Sequence, residues 1–291
     1  MYLGYNTNGL AHHEPLAALR LLAEQGYQGV ALTIDHYLLN PRDPDWQEQL
    51  RAIRTELGRL GMRSVVETGA RFLLDPRRKH EPTLVTPQAE GRRRRVAFLQ
   101  HALRVAEELE SECVSLWSGC ADPDIPSEES WGYLTGELEQ LLAEAERRQI
   151  VLGFEPEPGM LVATLEDFAR LKQRLPSPWL RLTMDLGHVF CQREGPLPEL
   201  VRRWAGELVN VHIEDMRRGV HEHLMFGQGQ MEFPPVIDAL AGCGYTGGLY
   251  VELSRHSHMA PQAVEQSYGF LAPLIQAAQK KHSPASEEPH A

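Results

Sequence analysis

The sequence is poor in cysteine, has fewer basic than acidic residues and contains no long apolar run. Its four cysteines form no CxxC pair, which argues against a disulfide framework or a zinc finger. No apolar stretch approaches the roughly 18 residues that a membrane-spanning helix needs. The formal net charge of −11 disfavours nucleic acid or an anionic membrane as the main partner. The start, MYLGYNTNGLAHHEP, lacks the basic and apolar segments of a signal peptide, so we expect a cytoplasmic protein with reduced thiols.

What the chain does have is a regular alternation of short apolar runs and amphipathic stretches. Eight runs rich in Val, Ile and Leu are typical of strands buried on both faces; they lie at residues 2–6, 29–34, 63–67, 113–117, 151–155, 180–185, 208–213 and 248–253. A helical pattern follows each run. Strict alternation predicts a parallel sheet with crossover helices, and eight such units suit a barrel.

The predicted fold is therefore α/β, a single (β/α)8 TIM barrel with a parallel eight-stranded sheet. A doubly wound open sheet is the competing fold, but GYNTNGLAHHE after the first strand lacks the GxGxxG fingerprint. We assign residues 1–279 to the barrel and expect 280–291 to be a disordered tail. The connections at 69–88 and 214–233 are unusually long, and in a barrel both lie at the carboxyl ends of the strands, where such enzymes place their chemistry.

Ligand-type residues end four successive predicted strands. Glu155 ends the fifth, Asp185 the sixth with His188 just beyond, His212 lies near the end of the seventh, and Glu252 near that of the eighth. Three carboxylates packed together would repel each other unless a cation neutralised them. Carboxylate oxygens with one imidazole suit Mn, Mg, Co or Zn, so the pattern predicts one divalent metal ion without fixing its identity.

The segments GFEPEP, MDLGH, NVHIEDMRRG and YVEL resemble the xylose-isomerase-like TIM barrels of sugar-phosphate isomerases and epimerases. Similarity to the ketose 3-epimerase-like members implies that Glu155, Asp185, His212 and Glu252 hold the ion. It also implies that the two glutamates form the acid–base pair. The resemblance further implies that His188 and Arg217 contact oxygens of the substrate.

The expected reaction is proton transfer at a carbon next to a carbonyl group. It needs an electrophile on the oxygen and a base beside the C–H, and a divalent ion supplies the first by stabilising an enediolate. Glutamates on both faces of the substrate would invert the centre, whereas one productive glutamate would favour isomerisation or dehydration. We therefore expect an isomerase or epimerase acting on a sugar, cyclitol or related polyhydroxy carbonyl compound.

Three further residues are candidates for substrate contacts: Trp117, Glu67 and His223. For each of them, a purely structural role is the alternative. For Glu157, in EPEP, two interpretations stay open: it supports residues of the site, or it is a surface glutamate held between prolines. The run RRRR at 92–95 opens a helix, and we expect its side chains to be solvated.

Other functions stay open at this point. Lyases of the same barrel, resembling inosose dehydratase or dehydroshikimate dehydratase, are the nearest alternative. An endonuclease IV-like abasic-site nuclease fits less well, because VVETG and SLWSG lack the extra histidines and the net charge opposes DNA binding. A non-catalytic metabolite-binding barrel would not need a full ligand set, and a homo-oligomer is compatible with the sequence.

Overall fold

The computed structural model describes residues 1–282 and contains a closed barrel of parallel strands. In chain order the strands are β1 (Tyr2–Asn6), β2 (Gly29–Thr33), β3 (Arg63–Glu67), β4 (Cys113–Leu116), β5 (Val151–Phe154), β6 (Leu180–Asp185), β7 (Leu208–Ile213), β8 (Asp215–Arg217), β9 (Val220–Leu224) and β10 (Gly248–Val251). All except β8 and β9 belong to the barrel, which closes where β1 pairs with both β2 and β10. The predicted (β/α)8 barrel is confirmed.

Helices cover the outside of the barrel. They are α1 (Pro15–Gln25), α2 (Trp46–Leu60), α3 (Ala89–Leu109), α4 (Ser127–Arg148), α5 (Leu165–Arg174), α6 (Leu186–Cys191), α7 (Leu197–Trp204), α8 (Phe233–Gly242) and α9 (Ala260–His282). Thr164 and Asp167 form a reciprocal capping box at the start of α5, and Gly26 ends α1 in the left-handed conformation. None of these helices, within residues 1–282, is long and apolar enough to cross a membrane.

Three features differ from the sequence-based expectation. The short helix α6 begins directly after Asp185, and β8 and β9 form an antiparallel hairpin in the connection after β7. The tail predicted to begin at residue 280 starts inside α9, which continues to His282. The rest of that predicted tail, residues 283–291, lies outside the described residues.

The RRRR run is not uniformly solvated, which corrects the expectation from its charge. Arg95 is fully buried, with Cζ 4.4 Å from the centre of the Trp117 ring and Nη2 donating to the Thr68 carbonyl at 2.7 Å. Arg92 is mostly buried and pairs with Glu137 at 2.9 Å. The first long helix after β3 therefore sends cationic side chains toward the barrel.

Tyrosines fill one end of the barrel interior and leave the other end for the site. The hydroxyls of Tyr2 and Tyr250 lie 2.9 Å apart near the amino ends of the strands. A Cβ atom at Gly4 would lie 2.3 Å from the Tyr250 ring, so glycine is needed there for close packing. The carboxyl ends of the strands are where a ligand can enter.

Candidate active site

A cavity of about 200 Å³ opens at the carboxyl ends of the barrel strands. Its lining combines residues from the first strand, the long 69–88 connection and the later strand ends, and includes Asn8, Lys79, Trp117, Glu155, His188 and Glu252. Polar and charged side chains dominate this lining.

The four predicted ligand residues converge beneath this cavity. Glu155, Asp185, His212 and Glu252 each offer one ligand atom, and these atoms all lie within 4.8 Å of one another. Glu155 directly follows β5, Asp185 ends β6, His212 lies in β7 and Glu252 directly follows β10. Their convergence follows from the barrel, which brings the carboxyl ends of separate parallel strands to one rim.

His212 lies at the centre of the cluster, 1% exposed. Its Nε2 atom lies 2.9 Å from Oε1 of Glu67, and its Nδ1 atom lies 3.2 Å from Oε1 of Glu155 and 3.0 Å from Oε2 of Glu252. A proton on Nε2 donated to Glu67 leaves the Nδ1 lone pair facing two carboxylates. That arrangement requires either a second proton on the imidazole or a cation between the groups.

The electrostatics and the unpartnered atoms fit a cation. Burial lowers the pKa of His212, but the carboxylates of Glu67, Glu155 and Glu252 outweigh it and raise that pKa well above its ordinary value. Burial raises the pKa of Glu155 to about 8. Oδ2 of Asp185 is buried and accepts no hydrogen bond within the described chain, whereas its Oδ1 accepts from the backbone N–H of His188 at 2.8 Å. Buried carboxylates without partners are costly, and a divalent ion would supply the missing charge.

Three imidazoles form the wall next to this cluster. Nε2 of His188 lies 3.0 Å from Nε2 of His221, and the ring centres of His188 and His223 are 5.6 Å apart. Burial lowers the pKa of His188 to about 4, so this ring is neutral at physiological pH. His188 and His223 both line the cavity, and their contacts with a substrate stay a prediction.

Glu67 and Trp117 also line the cavity, but their contacts differ in kind. Glu67 is 6% exposed and directs Oε1 to His212 and to the Asn210 amide, so it holds a predicted ligand residue in place. Trp117 packs edge-on against His80, with ring centres 5.4 Å apart, and forms an apolar wall. The histidine partner comes from the 69–88 connection, which thus closes one side of the cavity.

Arg217 does not line the cavity, and its expected contact with substrate oxygens stays a prediction. It lies at the end of β8, where alternation buries Met216 and leaves the Arg217 side chain 50% exposed. Its Nη2 atom donates to the Gln228 carbonyl at 3.3 Å. The hairpin turns this guanidinium to the outer surface.

Sequence reasoning missed several residues of the site. Glu214 is fully buried, and strand alternation from His212 could have placed it on the same face. Asn8 donates from Nδ2 to Oε1 of Glu252 at 2.8 Å, but it lies in a short 3-10 turn after β1 that has no strong sequence signal.

Glu157, for which the sequence left two interpretations open, lines the cavity, with Oε2 3.7 Å from Nδ1 of His188.

Comparisons with known proteins point to one family. A family model described as xylose isomerase-like TIM barrel matches residues 19–274. The L-ribulose-5-phosphate 3-epimerase UlaE of Shigella flexneri serotype 5b (strain 8401) is 24% identical over 251 residues, covering 85% of each chain. UlaE of Escherichia coli (strain SE11) is 22% identical over the same span.

Solved structures share the fold at low sequence identity. A D-tagatose 3-epimerase-like protein superposes with a TM-score of 0.79 at 20% identity, covering 97% of this chain and 99% of the other. An L-ribulose 3-epimerase gives 0.78 at 16% identity, covering 99% of each chain. The IOLI protein with a binding zinc atom gives 0.76 at 16% identity, covering 96% of this chain and 99% of the other. At these identities the superpositions establish the fold alone.

Proposed function

This chain belongs to the xylose isomerase-like TIM barrel family, and from that premise we propose that it is a divalent-metal-dependent epimerase or isomerase of sugars. The observation that carries the proposal is the position of Glu155 and Glu252, two carboxylates from separate strand ends that both approach Nδ1 of His212. The similarity to epimerases named for L-ribulose 5-phosphate supports a ketose as the substrate class.

Glu155, Asp185, His212 and Glu252 would hold the ion, because their ligand atoms already lie within 4.8 Å of one another. When bound, a divalent ion supplies Lewis acidity toward a carbonyl oxygen and makes the neighbouring C–H more acidic. Glu67 keeps the proton of His212 on Nε2, so that Nδ1 stays available as a ligand.

The two glutamates act as base and acid. One glutamate, in its ionised form, removes the proton from the carbon next to the carbonyl, and the other, which starts in its protonated form, donates a proton to the opposite face and so inverts that centre. Asn8 orients Glu252 through the 2.8 Å hydrogen bond to its Oε1. In this scheme each glutamate holds or releases a proton at one carboxylate oxygen.

The remaining cavity residues bind and orient the substrate. The neutral ring of His188 would bond a hydroxyl next to the reacting carbon, and its Nδ1 atom, 3.5 Å from Oε1 of Glu155, supports that role. His223 and Trp117 line the same cavity, the first as a hydrogen-bonding group and the second as an apolar wall for a C–H face. Glu67 supports the site from behind His212 and lines the cavity with its carboxylate.

Exchange with solvent deuterium tests this function. The purified protein, loaded with Mn²⁺, is incubated in D₂O with a panel of free ketoses, their 5-phosphates and cyclitol ketones, and the products are followed by NMR. We expect deuterium at the carbon next to the carbonyl together with inversion of that centre. Glu90→Gln, an exposed substitution on α3, serves as a control and should retain full exchange.

The other outcomes identify different reactions. Turnover without deuterium uptake would indicate a hydride-shift isomerase and remove the two-glutamate scheme. Loss of water from a substrate would indicate a lyase. A protein that carries no stoichiometric ion and turns over no member of the panel would contradict the proposed enzyme altogether.

A further inference from the structure

We propose that the sugar substrate carries an apolar substituent, which binds in a second cavity beside the polar cavity of the candidate active site. This apolar cavity has a volume of about 310 Å³ and lies between residues 7–18, residues 33–38 and the 69–88 connection. Both cavities are lined by Thr33, Arg71 and Lys79, so they are neighbours with a shared wall. The inference rests on the proposed function, because it specifies the substrate of the same site.

Apolar side chains form most of the remaining lining of the second cavity, and they include Leu10 and Leu38. Two aromatic rings, those of Tyr37 and Phe72, also line it. Tyr37 is 79% exposed and Phe72 is 44% exposed, and they are two of the four large apolar side chains that stay exposed within residues 1–282. Contiguous exposed apolar surface is typical of a binding site, and a ligand that covered these rings would remove them from water.

The ion pair in the shared wall is complete, so it does not call for a charged ligand. Both Nη2 and Nε of Arg71 donate to Oδ2 of Asp35, at 2.8 and 3.2 Å. The other oxygen, Oδ1, accepts from the backbone N–H of His36 at 2.8 Å. The other charged residue of the wall, Lys79, also lines the polar cavity, where sugar hydroxyls can accept hydrogen bonds from it. An uncharged apolar group therefore fits the second cavity.

The backbone around Arg71 has an unusual conformation that presents these side chains. Ala70 and Phe72, on either side of it, have φ values of 51° and 57°, in the left-handed region. A bulky residue rarely adopts this conformation, and such strain is commonly found at ligand-binding positions. The N–H of Phe72 donates to the carbonyl of Lys79 at 2.7 Å, which holds the segment in place. The strained segment thus supplies one residue of the shared wall and one aromatic ring of the apolar cavity.

The shared wall also contacts a residue next to the proposed acid–base pair. Nη1 of Arg71 donates to the Asn8 carbonyl at 3.4 Å, and Asn8 in turn donates to Oε1 of Glu252 at 2.8 Å. A substituent on a terminal hydroxyl of the sugar would cross this wall while the carbonyl group stays next to Glu252. An apolar cavity of roughly 150 Å³ is large enough to hold benzene. The 310 Å³ found here therefore accommodates a phenyl or short alkyl group.

A matched pair of ethers tests the inference. Binding of 6-O-benzyl-D-fructose and 6-O-methyl-D-fructose to the full-length protein, supplied with Mn²⁺, is measured by calorimetry. We expect the wild type to bind the benzyl ether about 10–100-fold more tightly, because its phenyl group is buried. Asparagine tolerates the left-handed conformation, so Phe72→Asn removes the ring without refolding the segment and should lower the preference by about 10-fold. Phe270→Asn, at an exposed ring outside the cavity lining, is the matched control and should keep the preference.

The remaining outcomes separate this inference from the proposed function. Equal binding of the two ethers by the wild type, or an unchanged preference in Phe72→Asn, would overturn the apolar subsite, and deuterium exchange of free ketoses would still support the proposed function. Equal binding by an oligomer that Phe72→Asn converts to a monomer would also overturn it, because the aromatic rings would then belong to a protein interface.

A second variant keeps the test independent of folding. If Phe72→Asn does not fold, Tyr37→Ser changes a side chain that is 79% exposed and gives the same comparison. A reduced preference for the benzyl ether is expected in Tyr37→Ser, and an unchanged preference would contradict the subsite.

Discussion

Oε1 of Glu67 lies 2.9 Å from Nε2 of His212, deep in the barrel. The same oxygen accepts a hydrogen bond from Nδ2 of Asn210 at 3.1 Å. Because a carboxylate accepts protons and does not donate them, this contact fixes the imidazole proton on Nε2 and turns Nδ1 toward Glu155 and Glu252. A residue expected to bind substrate thus contacts the histidine that is proposed to hold the ion.

Replacing Glu67 with Gln should weaken ion binding by about 10–100-fold, the usual cost of removing the partner of a ligating histidine. The amide can still accept a hydrogen bond, but it no longer carries the charge that makes the imidazole a strong ligand. Competitive titration of Mn²⁺ against a chelator measures the change. Glu90→Gln is the control, and equal affinities in wild type and Glu67→Gln would show that this contact does not tune the site.

The acid–base pair makes a second prediction. Glu155→Gln and Glu252→Gln should each lower turnover by about 10²–10⁴-fold, because general acid–base catalysis contributes that much. Part of the loss would come from weaker ion binding, so bound Mn²⁺ is measured in the same samples. Full turnover by ion-loaded Glu252→Gln would contradict the two-glutamate mechanism and leave Glu155 as the sole base.

The barrel could be predicted because its strands are apolar on both faces and alternate with amphipathic helices. The same pattern located Asp185, since a buried strand that ends in a carboxylate points it to the rim. Helix α6 was missed because it has only six residues, too few for a helical period to register. The hairpin β8–β9 was missed because DMRRGVHEHL has no strong apolar alternation.

The differences near the site have a similar origin. The role of Arg217 was carried over from a family pattern, but the direction of its side chain depends on a hairpin whose pairing the sequence does not encode locally. Glu214 could have been recognised, because it lies two residues beyond His212 along an extended chain. Arg95 could not, since its burial depends on the Trp117 ring and on the Thr68 carbonyl, both distant in sequence.

Arg95 therefore makes a stability prediction. Arg95→Ala should lower the free energy of unfolding by about 2 kcal/mol or more, because it leaves a cavity under Trp117 and removes the donor to the Thr68 carbonyl. Arg94→Ala, at an exposed position of the same helix, should change it by no more than about 0.5 kcal/mol. Urea unfolding of the three proteins checks the difference, and equal midpoints would show that the buried guanidinium contributes nothing to stability.

The last prediction concerns the pH dependence of stability and rests on Glu194. Oε2 of this residue accepts a hydrogen bond from the backbone N–H of Leu165 at 2.8 Å, while Oε1 is buried without a partner. Burial raises the pKa of Glu194 from 4.5 to about 7. Between these two values the folded protein binds a proton that the unfolded chain has released.

Stability should therefore fall as the pH rises from about 4.5 to about 7, and the cost of the buried charge should be fully present above that range. Glu194→Gln keeps an acceptor for Leu165 but cannot ionise. The free energy of unfolding of this variant, measured relative to that of the wild type, should therefore rise across the same pH interval. Urea unfolding at a series of pH values measures this gain, and Glu199→Gln, which removes an exposed carboxylate from the same segment, controls for net charge. A difference between Glu194→Gln and wild type that stays constant with pH would mean that Glu194 is ionised in the folded protein throughout.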